Sequence, residues 1–74
     1  MEGLTEGRIV HYVDHLEHKH RAAIITHVWN KNTGMVNLFV FPDGSHPLGD
    51  TTPTSVSFND DVMPGYSWHW IEKA

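Results

Sequence analysis

Apolar residues along this chain fall in short alternating runs broken by Gly, Pro, Asn and Asp, the pattern of strands joined by turns. Residues 8–13 form the first run. Ile9, Val10, Tyr12 and Val13 follow the flexible Glu6-Gly7 entry and place apolar groups on both faces of a predicted strand. Residues 14–20 are polar, with Leu16 the lone apolar side chain, and read as a loop. Residues 21–29 predict a long second strand. By the period of two, Ala22, Ile24 and Val28 share a face with Thr26, while Ala23, Ile25, His27 and Trp29 share the other.

Asn30-Lys31-Asn32-Thr33-Gly34 has the residues of a turn that needs positive φ, and it predicts a β-hairpin joining the second strand to residues 35–41. In that third strand Val36, Leu38 and Val40 face one way, and Met35, Asn37, Phe39 and Phe41 the other. Pro42-Asp43-Gly44 stops it. Residues 45–54 hold two prolines and a glycine with little apolar periodicity, an irregular surface loop. A short fourth strand over residues 55–58 turns Val56 and Phe58 inward. After turns at residues 59–61 and 63–65, Tyr66, Trp68 and Trp70 alternate with Ser67, His69 and Ile71 in a last strand. No stretch has a helical period, so the expected fold is all-β: a small five-stranded SH3-like or OB-like barrel, or a strongly curved antiparallel sheet.

A chain of 74 residues holds one domain, residues 1–74, with a core that must be well used. Domains of this size often lean on disulfides, a metal or self-association, and a cysteine count of zero leaves packing, histidine or oligomerisation. The first residues resemble no export signal, and no run approaches the roughly 18 apolar residues of a membrane span, so neither a membrane nor an export route is expected. Nine carboxylates against five Lys plus Arg argue against a long nucleic acid, whose binding rests on neutralising many phosphates.

Apolar groups on both faces of the strands exceed what one small barrel interior can hide. The face carrying Ile25, Trp29, Phe39 and Phe41 needs a cover, and a second copy of the chain is the simplest one, so a homo-oligomer is expected. Tyr12, Trp29, Phe39, Tyr66, Trp68 and Trp70 either fill the core or offer flat faces for stacking a base or a proline ring. Both readings stand at this level.

Seven histidines are many for the length, and four lie between positions 11 and 20. His18-Lys19-His20 places two imidazoles on one side of an extended strand, a metal-ligand arrangement, but His15-x-x-His18 lacks the glutamate of the helical zinc motif. Solvated loop histidines are the plainer reading, and neither a metal nor a cofactor is expected. Arg8 and Arg21 open the first two strands, where they either pair with Glu6, Asp14 or Glu17 or grip phosphate, with Trp29 or Trp68 stacking a base. Asp43, Ser45 and His46 supply triad residue types, but adjacency in one turn does not make side chains converge. Asp60-Asp61 reads as a solvated turn, and no phosphate loop or dinucleotide fingerprint is present. Binding without catalysis is therefore expected.

Several blocks also carry a resemblance. Gly7-Arg8-Ile9-Val10-His11-Tyr12, His20-Arg21-Ala22-Ala23-Ile24-Ile25 leading to Val28-Trp29, and Val36-Asn37-Leu38-Phe39-Val40-Phe41-Pro42-Asp43-Gly44 are three of them. Thr54-Ser55-Val56 and Pro64-Gly65-Tyr66-Ser67-Trp68-His69-Trp70 complete the set. Together they resemble a widespread group of small, mostly uncharacterised proteins of tailed bacteriophages and prophages. The resemblance implies a protein acting in an infected bacterial cytoplasm or in a virion, and it implies no reaction. By analogy of class with other small phage β proteins, the expected function is an oligomeric anti-defence sponge for a nucleotide second messenger. Arg8, His20, Arg21, Trp29, Trp68 and His69 are the expected ligand residues. The alternative is an interaction module that docks on a phage or host protein.

Overall fold

The computed structural model describes residues 1–14, 18–41, 51–61 and 65–71. These residues form five strands and no helix: β1 (Ile9–Val13), β2 (His20–Asn30), β3 (Met35–Val40), β4 (Ser57–Phe58) and β5 (Ser67–His69). They make one sheet in the order β3-β2-β1-β5-β4. All neighbouring pairs are antiparallel except β4 with β5, which run parallel, so the sheet is mixed rather than purely antiparallel.

The sheet curls into a half-barrel, and the chain before β4 draws its two edges together. Residues 51–56 run along the outer edge of β3, where Val40, Leu38 and Val36 donate to the carbonyls of Thr51, Pro53 and Val56 at 2.7, 3.0 and 3.0 Å. From the next residue, Ser57, the same chain pairs with β5, at the opposite side of the sheet. Strand edges that would otherwise stay open are thereby occupied.

The β2–β3 hairpin forms as its turn residues predict. Asn30 accepts the backbone N–H groups of Asn32 and Thr33 on its side-chain oxygen at 2.8 and 3.2 Å, and the Gly34 N–H returns to the Asn30 carbonyl at 2.9 Å. Gly34 takes a φ of +79°, which a side chain would resist.

Alternation decides the core. Val10, Tyr12, Ala23, Ile25, Val36, Leu38, Val40, Val56 and Trp68 are buried on the concave side, with Leu4 from the N-terminal segment. Each fully buried aliphatic or aromatic group contributes roughly 1.5–3 kcal/mol. The expected faces of β2 need one correction. The pairing with β3 slips between Ile25 and His27, so Thr26 is the extra residue and the parity reverses beyond it. Val28, expected beside Ala22 and Ile24, packs against the core opposite Val36, and Ile25, expected on the surplus face, is 1% exposed. Ile24 takes its place on the outer face, paired with Ile9 on one side and Phe39 on the other.

Candidate functional site

Register places three histidines on the convex, outer face. His11 in β1 lies opposite Ala22 of β2 and opposite His69 of β5, and His20 of β2 lies opposite Val13, two residues further along β1. Opposed residues of antiparallel strands share a face, so all three imidazoles rise from the same patch of sheet. Their ring centroids stand 5.6 Å apart for His11 and His69, 4.9 Å for His20 and His69, and 6.2 Å for His11 and His20, all edge to face. One nitrogen of each ring lies within 4.8 Å of the other two.

The seat is sheltered on one side and open on another. His69 is 3% exposed, whereas His11 and His20 are half-buried. Beside them on the same face, Val13 and Ser67 are buried although Val13 stands outside the core cluster. The next row along the sheet is apolar and solvent-facing: Ile9 and Phe39 flank half-buried Ile24, and Phe41, bonded through its N–H to the Ala22 carbonyl, meets Phe39 edge to face at 5.4 Å. The outer face therefore reads, in strand order, as imidazoles at one end and an aliphatic and aromatic strip at the other.

The six residues expected to bind ligand do not converge. His20 and His69 meet in the cluster just described. Trp68 is wholly buried in the core, between Phe58 and Trp70, with its indole N–H committed to Gly34. Arg21 lies on the concave face, 3% exposed, with its guanidinium 3.5 Å from the Asp14 carboxylate, one of the ion pairs open to it from sequence. Arg8 is at the far end of β1, its guanidinium 5.3 Å from the centre of the Trp70 ring, a cation–π contact. Trp29 is 59% exposed at the hairpin end of β2, edge to face with His27 and donating to the Asn37 side-chain oxygen at 2.8 Å.

His11 is the member that sequence reasoning passed over. Pairing His18 with His20 treated proximity along the chain as proximity in space, yet His18 is exposed, at a φ of 55°, and is not one of the three. The usable signal was alternation: once a hairpin-like pairing of the first two strands is drawn, His11 and His20 fall on the same face. His15, Asp43, Ser45 and His46 lie outside the described residues. Asp60 and Asp61 are exposed in a turn where the Asn59 side chain accepts the Asp61 N–H at 3.0 Å, as a solvated turn requires.

Among the described residues the cluster offers nitrogen donors alone. Three imidazoles at this spacing can share a transition-metal ion or present N–H groups to an anion. Comparison with protein-family models, with curated proteins and with solved structures finds no match, so the site is read from its own geometry.

Proposed function

We propose that this chain is a non-enzymatic binding protein that seats a small ligand on its outer face at His11, His20 and His69. The observation that carries the reading is the convergence of three imidazoles from three neighbouring strands onto one partly sheltered patch. Binding asks only that donors converge on a common point. Acyl transfer would also need a nucleophile aligned with one imidazole and a further group orienting it, whereas these rings contact one another edge to face.

The phage resemblance supports a setting in an infected bacterial cell, with the virion as the other location. Sequestration of a nucleotide second messenger is one use of such a seat, with phosphate at the imidazoles and a base over the adjoining apolar strip. It no longer relies on Trp68 or Arg21, which belong to the interior.

A second reading is favoured by the exposed Ile9, Phe39 and Phe41 beside the cluster. There the chain is an interaction module, and a second copy or a phage or host protein covers the strip. Titration of isotope-labelled protein separates the two. Inorganic phosphate, mono-, di- and cyclic nucleotides and divalent metals are each added while the His11, His20 and His69 resonances are followed. Saturable shifts confined to these rings and their neighbours are expected. If every compound leaves them unmoved while a protein partner broadens Phe39 and Phe41, the interaction reading replaces the first.

A further inference from the structure

Resting on that reading, we propose that the ligand at His11, His20 and His69 is a single first-row divalent transition-metal ion, zinc, nickel or cobalt, held by three imidazole nitrogens with an exchangeable position left open.

The donor chemistry selects this class. Neutral imidazole is a borderline ligand that suits zinc, copper and nickel, while calcium and magnesium call for oxygen. Among the described residues the cluster contains three histidines and no carboxylate, and the chain has no cysteine, so thiolate-seeking clusters have no foothold. Three protein ligands with a free position are also the usual complement of an open zinc site.

The geometry is close to what the ion needs. Metal–nitrogen bonds of about 2.0–2.1 Å in a tetrahedron put ligand nitrogens roughly 3.3 Å apart. The three nitrogens already lie within 4.8 Å of one another, so closing the site takes small rotations of the rings rather than movement of the sheet. The backbone under them is held by ladder pairing on both sides of β1, which fixes the spacing of the three Cβ atoms. His69 supplies a desolvated ligand, and His11 and His20 leave the approach open. No linear metal motif appears in the sequence because each ligand comes from a different strand.

The test uses the full chain, stripped with chelator and then titrated with zinc, nickel or cobalt chloride by calorimetry, with cobalt absorption reporting coordination. One ion per chain is expected. His20→Ala and His11→Ala, both at half-buried positions, should each weaken binding at least about tenfold. His18→Ala and His27→Ala, outside the cluster, should leave affinity and stoichiometry unchanged. Circular dichroism of each variant confirms folding, and His69→Ala serves only if that check is passed. Several weak ions per chain, or affinity lost in His18→Ala but kept in His20→Ala, would overturn the metal assignment. If all three metals fail to bind while inorganic phosphate or a nucleotide shifts the same three histidines, the metal inference falls and the binding reading stands. If nothing moves them, both fall.

Discussion

The indole N–H of Trp68 donates to the carbonyl of Gly34 at 2.6 Å, joining the last strand to the β2–β3 turn across a separation of 34 residues inside the core. Gly34 is forced on the chain twice over. Its φ is +79°, and a Cβ there would stand 2.6 Å from the Phe58 Cβ, 2.7 Å from the Met1 sulfur and 3.4 Å from Trp68. The methionine tip can move aside, but the Phe58 Cβ cannot move without its backbone. Gly34→Ala should therefore cost about 2–4 kcal/mol, the sum of the positive-φ penalty and overpacking. Urea unfolding measures it, and a loss under half a kilocalorie per mole would show that the turn relaxes freely.

Trp68→Phe tests the other partner of the same bond. It keeps an aromatic ring against Phe58 and Trp70 but leaves the buried Gly34 carbonyl without its donor. A cost of roughly 1–3 kcal/mol is expected from the unsatisfied acceptor alone, with more from the vacated volume. The same unfolding experiment on each variant and on the double variant should show non-additive losses, since a Cβ at position 34 would stand 3.4 Å from the Trp68 ring that the second substitution removes.

Glu6 gives a pH prediction. Its carboxylate is held below the ordinary value of 4.5 first by its own backbone N–H and then by the N–H of Val28, which it accepts at 3.1 Å where β2 runs past the start of β1. A depressed carboxylate stabilises the fold above its unfolded pKa, and that contribution disappears as pH falls through the folded value. The wild type should thus melt above Glu6→Ala at neutral pH by a small margin that narrows below pH 4.5 and closes on further acidification. Paired thermal melts across that interval check it, and a gap that stays constant would assign the effect to something other than the charge.

Exposure of the tryptophans is read by iodide quenching. Trp29 is 59% exposed, Trp68 is wholly buried and Trp70 lies between them. Trp29→Phe should remove most of the quenchable emission and change stability by under about 0.5 kcal/mol, as befits a surface position. Emission from Trp68 that iodide reaches as readily would contradict the core assignment.

Phe39 tests self-association through the outer strip. It is 36% exposed, paired with Ile24 and in contact with Phe41. If a second copy covers this face, sedimentation of the wild type should give a mass that rises with concentration, and Phe39→Asp should sediment as a monomer with its melting curve little changed. A wild type that remains monomeric at every concentration would remove the second copy as the cover.

Period-two alternation was enough to identify five strands, the hairpin at residues 30–34, the inward faces of β3 and the absence of helix, because side-chain direction in a strand follows directly from position. The same logic failed at Thr26. A bulge adds one residue against a partner strand, and nothing local in Ile25-Thr26-His27 announces it, so Ile25 and Val28 were assigned to opposite faces when both are inward. Likewise, aromatic richness could not say that Trp68 is sealed while Trp29 is open, since burial depends on which strand lies opposite.

From the chain alone came the all-β character, the turns and the supply of histidines, all of which are properties of neighbours within a few positions. Only the tertiary structure decided that β5 lies against β1, and hence that His69 arrives beside His11 and His20 rather than beside any histidine close to it in the chain. The physical reason is that a pairing across 58 residues is chosen by the burial of Trp68 against Tyr12 on the concave side. The histidines on the convex side are carried into register by that choice.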